Sequence, residues 1–486
     1  MRGRWILKRA LTGATLHTDA PITVKDAPVR SLSGAGSLQF SVSGAFAERK
    51  SDVDGLPLVQ EWNTRIYKLG DDDRVLWGGI VIATPEDSPS TWTVEAATDS
   101  TVLFGTPYLG PARYLAKVDP ADIVRTLVNH VQSQPDGDLG IKVQGSTTVR
   151  VGTFSTQNAV DATNAYNASV KAYNTEVAER KRLAAIVSAS RKAYSALVDE
   201  SQSDNAELSA AKKAKPKDQA RINRAQAAVN DVTARKKAKN DTITTQQAAV
   251  TRQAKVVATA KAAKDRAYKL KVAATKAKKD DGGAFELLWW EAPDCGQTVQ
   301  TLADDAPFDY LDEWTKSGDD ITSTIHIYYP RVGRLRADIA FQQGVNVVDV
   351  IKSTVPGDDY ASDVVGIGAG EGAKSIRRTT ARRNGRIRRV AVVTDKDVKS
   401  NVAMDRRINR ELASRQNVLE VQQLRVRGTR GVPFGSWQIG DDVPVQVTLK
   451  GHGPIDVLHR IVEEQPESDN IAVLTLKRSD SFIYGG

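Results

Sequence analysis

Short runs in which apolar and polar residues alternate fill about the first hundred positions of the chain. The run at 36–44 reads GSLQFSVSG and places Leu38, Phe40 and Val42 on one side, which predicts a strand with one buried face. A Gly-Asp-Asp-Asp turn at 70–73 separates two further apolar runs. The pattern predicts a small β-sheet domain at the N-terminus, and similar runs at 321–329, 418–427 and 442–449 predict more strands near the other end.

Apolar residues at helical spacing mark two shorter helices. In 120–132 the apolar residues Ile123, Leu127 and Val131 recur at intervals of four, with Asp119 as the predicted N-cap and Pro120 at the first helical position. Residues 395–416 are predicted to form a second amphipathic helix.

The segment 161–281 has a different pattern. Between Gly152 and Gly282 the chain has no glycine, and its one proline is Pro216. Alternate steps of four and three give a predicted coiled-coil seam in which eight of ten positions are apolar: Tyr166, Val170, Tyr173, Val177, Arg180, Ala184, Val187, Arg191, Tyr194 and Val198. Pro216 marks the reversal, because proline and its preceding residue both resist helix. We predict two antiparallel helices of about 50 and 60 residues, on the order of 80–90 Å long.

One short pattern occurs twice, near opposite ends of the chain. Each copy reads VL, a spacer, IV, three residues and PE, and a second alternating run follows each copy: Val75-Leu76, Ile80-Val81 and Pro85-Glu86 in one, Val457-Leu458, Ile461-Val462 and Pro466-Glu467 in the other. The repeat predicts two similar small β-barrels, unless the letters recur by chance among strand and turn residues. Gly78-Gly79 inside the first copy predicts a β-bulge.

The predicted fold class is therefore α+β multidomain: two small similar β-barrel domains plus a mixed α/β region, with a long antiparallel coiled-coil hairpin inserted. The predicted domains are a β-barrel at 1–105, a mixed α/β domain at 106–160 and 282–330, the hairpin at 161–281, a mixed α/β connecting domain at 331–415, and a β-barrel at 416–486.

Composition adds a charge asymmetry. The 486 residues are 40% hydrophobic and 26% charged, as in globular proteins, and one cysteine excludes an intrachain disulfide. No run of 18 apolar residues predicts a transmembrane helix, and the N-terminus does not read as a signal peptide. Residues 161–281 hold 26 Lys and Arg against 13 Asp and Glu, a net charge of +13, which leaves −4 on the rest. A smaller basic cluster lies at 377–389.

The sequence predicts no catalytic, cofactor or metal site. The five histidines lack metal-ligand spacing, and HExxH is absent. Cys295 with His326 is a candidate nucleophile pair for a wall hydrolase, but the sequence around Cys295 matches no nucleophile signature. The glycine-rich run 366–372 lacks the ending of a phosphate-binding loop and predicts a flexible surface loop. The basic helices have no nucleic-acid module, which leaves a solvated surface or a contact with an anionic surface.

Several stretches resemble the tail hub proteins of tailed bacteriophages, most of all the hub-like minor tail proteins of long, non-contractile-tailed phages of actinobacteria. These are 77–81 (WGGIV), 97–103 (ATDSTVL), 344–350 (GVNVVDV) and 432–443 (VPFGSWQIGDDV). The resemblance covers about 1–150 and 283–486, and the helical segment departs from it as an insertion. It implies a homotrimer that caps the tail tube, in which two barrels per chain make a pseudo-six-fold ring.

The resemblance also implies partners: the chain itself, the tail tube or a distal tail protein, the tape measure protein, other minor tail or receptor-binding proteins, and host envelope polymers. The residues themselves, which show neither a catalytic signature nor a nucleic-acid module, predict no enzymatic activity and no sequence-specific nucleic-acid binding, although many members of the resembled family carry a lytic domain. The resemblance places the protein at the distal tip of the virion tail. Two alternatives stay open at this point. One is a tail-associated wall hydrolase that uses Cys295, and the other is an envelope-binding toxin or adhesin with a basic hairpin.

Overall fold

The computed structural model describes residues 3–84, 86–88, 90–354, 360–396, 398–416 and 420–482. The chain divides into two compact units, which are described separately. The first, called the body, comprises Met1–Phe154 and Lys279–Gly486, and the second, called the hairpin, is Ser155–Lys278.

The N-terminal part of the body forms one sheet. Its elements are β1 (Arg4–Arg9), β2 (Thr15–His17), β3 (Thr23–Asp26), β4 (Arg30–Ser31), β5 (Ser37–Ser43), α1 (Gly44–Ala47), β6 (Thr64–Leu69), β7 (Val75–Ala83), β8 (Glu86–Ser88) and β9 (Thr91–Ala97). The strand order is β2-β1-β6-β7-β9-β5-β3, with β8 beside β9. The alternation in β5 buries Leu38, Phe40 and Val42 as predicted, against Trp77 and Val81 of β7.

The middle of the chain supplies a mixed layer and the long helices. Its elements are β10 (Arg113–Leu115), α2 (Pro120–Gln132), β11 (Lys142–Gln144), α3 (Ser155–Lys213), α4 (Gln219–Asp281), β12 (Phe285–Leu287), α5 (Cys295–Asp305), β13 (Asp309–Ser317) and β14 (Asp320–Tyr328). The start of α2 is as predicted, because Asp119 accepts a hydrogen bond from the Ala121 amide at 2.9 Å and Pro120 opens the helix. Helices α2 and α5 share one core with the sheet β11-β14-β13.

The C-terminal part contains a second large sheet and a smaller one. Its elements are β15 (Phe341–Gln342), β16 (Val347–Thr354), β17 (Asp363–Ile367), β18 (Arg377–Ala381), β19 (Val390–Thr394), α6 (Asn401–Gln416), β20 (Glu420–Arg427), β21 (Asp442–Leu449), β22 (Gly453–Pro466) and β23 (Ile471–Arg478). The large sheet has the order β15-β21-β22-β23-β20-β16, so β15 and β16, from within 331–415, belong to it.

Strands β17–β19 and α6 form a separate element, called the insert, at 360–396 and 398–416. Helix α6 begins later than the predicted residue 395, because the Asp395 amide still bonds Ile367 and Ser400 caps the helix through the Ala403 amide. The helix covers one sheet face, and a Cβ on Gly366 would lie 2.3 Å from the Met404 sulfur. Gly366 and Gly368 are buried, so the predicted surface loop at 366–372 is wrong for its first part.

The two large sheets share a five-strand topology. In the first, the strands β3, β5, β6, β7 and β9 lie in the spatial order β6-β7-β9-β5-β3. In the second, β16, β20, β21, β22 and β23 follow the same chain order and lie as β21-β22-β23-β20-β16. All the neighbouring pairs in both sets are antiparallel. The described pairings are open paths in both sheets, and closure of each into a barrel stays a prediction.

The structural repeat is displaced by one residue from the letter match in the sequence. Val81 pairs with Ala96 immediately before a bulge, and Ile461 pairs with Leu476 immediately before the corresponding bulge. Both Val81 and Ile461 point into their cores. The VL-IV-PE match instead aligns Val81 with Val462, and a shift of one residue turns every side chain of a strand to the other face.

The glycine pair in β7 does not form the predicted bulge. Gly78 and Gly79 pair in regular register with Tyr67 and Ile66 of β6. They are required for close approach, because a Cβ on Gly79 would lie 2.2 Å from the Ala97 carbonyl oxygen and one on Gly78 would lie 2.6 Å from the Tyr67 ring.

The hairpin consists of α3 and α4, and its contacts are antiparallel. The centroids of the Tyr166 and Tyr268 rings lie 5.6 Å apart, with the rings tilted by 56°, and near the turn Glu207 binds Arg221 at 2.8 Å. The predicted seam is correct at positions such as Tyr173, Val187 and Tyr194, which are buried or half-buried. It is wrong at Arg180, Ala184 and Arg191, which are exposed, while Leu183 and Ser190 lie in the seam.

Candidate assembly surfaces

A short strand joins the two large sheets of the body. β4 lies between β3 and β5 in the chain, yet it pairs with β22, with Ser31 opposite Glu463 and Arg30 opposite Glu464. The Leu32 amide donates to the Val462 carbonyl at 2.8 Å. Leu32 also packs against a small apolar cluster that holds Ile439. The two similar sheets are therefore fixed side by side within one chain.

The first of two buried polar networks connects the N-terminal sheet to the middle layer. Arg65 binds Asp99 at 2.7 Å, and Asp99 also accepts from the Trp314 indole at 2.8 Å and the Ser323 hydroxyl at 2.7 Å. Asp312 accepts from the Ser100 hydroxyl at 2.6 Å. Burial raises the pKa of Asp312 to about 6, and the nearby Asp99 carboxylate adds to the rise.

The second network connects the C-terminal sheet to the same strand of the middle layer. Arg460 of β22 is fully buried and donates to the Asp309 carboxylate and to the Val332 carbonyl. Strand β13 therefore carries both Asp309, which bonds Arg460 of the C-terminal sheet, and Asp312, which bonds Ser100 just after the last strand of the N-terminal sheet. Buried charge is tolerated only where it is paired, so these contacts fix the position of each sheet on the middle layer.

The hairpin carries its charge unevenly. Residues 252–279 of α4 contain ten Lys and Arg and one acidic residue, Asp265. Two of the lysines lie in the seam over aromatic rings of α3: Lys264 is 4.3 Å from the Tyr173 centroid and Lys271 is 5.0 Å from the Tyr166 centroid. Since the remaining cations of this stretch are largely exposed, it is suited to contact with an anionic surface.

The candidate nucleophile Cys295 lies inside the core shared by α2 and α5. It is fully buried, and burial raises the pKa of its thiol to about 12, so the reactive thiolate is disfavoured. His326 instead contacts Glu313 at 3.1 Å and stacks on Tyr328 at 4.4 Å. No contact between Cys295 and His326 appears in the described part of the chain.

Over the described ranges, no group of three or more His, Cys, Asp or Glu residues could hold a metal ion. Within the same ranges no helix is long and apolar enough to cross a membrane.

Two features of these surfaces escaped sequence reasoning. The networks around Asp99 and Asp309 join residues far apart in the chain, and no local pattern signals them. Trp62 is 56% exposed and has a positive φ of 56°. Position 62 is neither glycine nor asparagine, the residues that ordinarily mark such backbone, although Asn63 follows it directly.

Comparison with known proteins does not identify a family for this chain. No family model matches the chain, and no curated protein matches it. Among solved structures, the 43 kDa tail protein of prophage MuSo2 from Shewanella oneidensis is similar over 99% of this chain and 99% of its own, with a TM-score of 0.49 and 11% sequence identity. This similarity is too weak to assign either the fold or the function of that tail protein to this chain.

Proposed function

We propose that this chain is a structural protein of a bacteriophage tail, namely the hub that closes the distal end of the tail tube and anchors tail-tip and host-recognition proteins. In this proposal it assembles as a homotrimer with no enzymatic activity. The tail tube or a distal tail protein binds one side of the ring. The tape measure protein and other minor tail or receptor-binding proteins bind around it.

The observation that supports this proposal best is the repeated five-strand topology within one chain. A closed trimer of such chains presents six similar sheets, which suits a partner with six-fold symmetry. The β4–β22 pairing adds support, because it fixes the two copies side by side as neighbours in a ring must be. The resemblance of 77–81 to tail hub proteins falls within β7 of the first sheet, and that of 432–443 falls in the connection that leads into β21 of the second.

The basic hairpin has a contact role in this proposal. Its stretch 252–279 binds acidic patches on neighbouring tail proteins or anionic polymers of the host envelope. It does not line the path of the DNA, because a basic lining would retain the phosphates of DNA that has to pass freely.

The hydrolase alternative is weakened by the buried thiol of Cys295, which lacks both solvent access and a described histidine contact. The toxin or adhesin alternative differs in where the protein is found, since it needs no virion.

Electron microscopy of virions labelled with an antibody against the body tests the proposal. We expect label at the distal end of the tail and at no other position. Virions without label, with the chain recovered only as a separate soluble protein, would support the toxin or adhesin alternative. A zymogram of the purified chain on cell walls is expected to be blank, and a clear lytic band would reinstate the hydrolase.

A further inference from the structure

The two copies of the repeated sheet differ at one edge. On the side of β22 that faces β21, pairing with β21 ends at Arg460, and β4 then pairs with Glu463 and Glu464. On the equivalent side of β7, pairing with β6 ends at Ile80. The described pairings place no strand beside Ala83 there, although its other side pairs with Glu95 of β9. Among the described residues, the edge that β4 covers in one copy has no strand beside it in the other.

Hydrogen bonds next to this edge confirm that the two sites are equivalent. The Ile461 carbonyl accepts from the Gly440 amide at 2.8 Å, and the Val81 carbonyl accepts from the Trp62 amide at 2.8 Å. Gly440 has a φ of 88° and Trp62 has a φ of 56°, so both donors have left-handed backbone. Glycine adopts this backbone without cost, whereas a bulky residue there is strained.

The strained tryptophan is also exposed. Its side chain is 56% accessible, and other exposed apolar side chains lie at the same end of the N-terminal sheet: Leu11 at 45%, Val53 at 56% and Leu56 at 42%. The Ala10 amide donates to the Asn63 carbonyl at 2.9 Å, and Arg9 binds Asp54, which holds these segments together. We name Leu11, Val53, Leu56, Trp62 and the edge of β7 at Ala83 the open junction. Strain combined with exposed apolar area is typical of a binding surface.

We propose that the open junction is the contact between neighbouring chains, and that the insert of a second copy occupies it. In the N-terminal sheet, β4 belongs to the connection between β3 and β5. The equivalent connection in the C-terminal sheet runs from β16 to β20, and it contains the insert. If neighbouring sheets in a ring repeat the contact seen within one chain, the insert of one chain reaches the β7 edge of the next.

Charge and surface chemistry favour this occupant. Residues 360–416 hold 14 basic and 6 acidic residues, a net charge of +8, whereas residues 1–105 hold 11 basic and 13 acidic residues, a net of −2. The insert also leaves apolar side chains uncovered on the sheet face opposite α6, with Val390 44% exposed and Val392 60% exposed on its edge strand β19. An apolar edge with a basic border complements the open junction, where the exposed Glu61 carboxylate lies beside Trp62 and accepts a hydrogen bond from the Thr84 hydroxyl at the β7 edge.

This inference rests on the proposed ring, and it adds the residues through which the ring closes. Trp62→Gly in the full chain tests it. Glycine relieves the strain of the positive φ, so the melting temperature should stay equal or rise. Assembly should weaken, because an exposed tryptophan at an interface centre usually contributes a large share of the affinity. We expect the midpoint for trimer dissociation to move to at least about tenfold higher protein concentration. Trp290→Gly removes an indole that is 54% exposed elsewhere on the body and should leave that midpoint unchanged.

Cross-linking between two single variants identifies the occupant. A chain with Glu61→Cys is mixed with a chain with Val392→Cys and treated with a bifunctional maleimide, while Cys295 stays silent because it is buried. We expect a product of twice the 52.7 kDa chain mass from this mixture. Replacing the second chain by one with Val345→Cys, where the valine is 51% exposed, should give none.

The outcomes separate the two proposals. A closed trimer that assembles normally with Trp62→Gly, or that cross-links equally to residues 345 and 392 or to neither, overturns the open junction and leaves the hub in place. A chain that stays monomeric at every concentration, alone and in particles, overturns both.

Discussion

Two aspartates on one strand show how the same side chain acquires opposite roles. Asp309 and Asp312 are both buried on β13. The Asp309 carboxylate forms an ion pair with the guanidinium of Arg460, so the two buried charges neutralise each other. Asp312 receives hydroxyl and amide donors from Ser100, and its pKa is raised to about 6 because burial penalises the charged form. Neither environment could be predicted from sequence, since Ser100 and Arg460 lie far along the chain from β13.

Asp312→Asn is expected to stabilise the protein at neutral and alkaline pH. In the folded state, burial raises the pKa of Asp312 to about 6, so this carboxyl keeps its proton up to about pH 6, whereas in the unfolded chain it releases the proton near its ordinary pKa of 3.8. This group's contribution to stability is therefore fully present below pH 3.8 and is lost as pH rises through 6. Between pH 4 and pH 8, the variant's advantage in unfolding free energy should grow by roughly 2 to 2.5 kcal/mol.

Asp309→Asn provides the matched control. It leaves the buried guanidinium of Arg460 without its carboxylate and should destabilise by roughly 3–5 kcal/mol. Denaturant titrations of both variants at several pH values measure these changes. Destabilisation by Asp312→Asn at pH 8 would contradict the assignment of a disfavoured charge to Asp312.

At the scale of elements, the periodicity of apolar residues predicted the type and order of the helices and strands better than it predicted the register of the strands and of the helical seam. The α2 helix with its Asp119 cap and the paired helices α3 and α4 were predicted correctly, because local spacing determines them. The repeat in β7 and β22 was predicted from matching residues that do not occupy equivalent positions in the two strands. Equivalent positions depend on register, which is determined by bulges and by the neighbouring strands. The seam of α3 was misassigned at Ala184 and Arg191, where Leu183 and Ser190 lie in the seam instead, because the predicted alternation contains more apolar residues than the one that the helix uses.

Removing the hairpin, Ser155–Lys278, should leave the body folded. The chain ends that remain are already held together, because the Thr153 amide donates to the Gly283 carbonyl at 2.7 Å and the Thr153 hydroxyl bonds Asp281 at 2.9 Å. A short Gly-Ser linker can therefore replace the deleted residues. We expect an unchanged β-sheet signal in circular dichroism and a soluble chain. An insoluble product would mean that the helices are needed to fold the body.

At the scale of the whole molecule, the contacts that organise the body connect distant parts of the chain. β4 pairs with β22 more than 400 residues away, and only the structure brings them together. The same holds for the insert, whose Arg-rich sequence looked like a charge cluster but forms a sheet covered on one face by α6. Asymmetric charge was visible from composition, and its concentration in 252–279 became evident once the helices were placed.

Four lysine-to-glutamine changes in 252–279 should weaken binding to anionic partners more than four elsewhere on the hairpin. The first set is Lys255, Lys261, Lys269 and Lys276, and the control set is Lys212, Lys213, Lys217 and Lys237; all eight are exposed. Both sets remove the same charge, so a difference reflects the cluster and not net charge. The salt concentration that elutes each chain from immobilised polyphosphate measures the effect. Equal losses from both sets would mean that the basic cluster at 252–279 is an ordinary solvated surface and not a binding surface.

The central claim is that duplicated sheets within each chain build a hub ring. Cryo-electron microscopy of the purified full-length protein tests this most directly, supported by a light-scattering mass. We expect a closed particle of three chains, three times 52.7 kDa, in which six similar sheets alternate around a three-fold axis. A stable monomer or dimer, or a trimer whose two sheet types do not lie on a common ring, would contradict the claim.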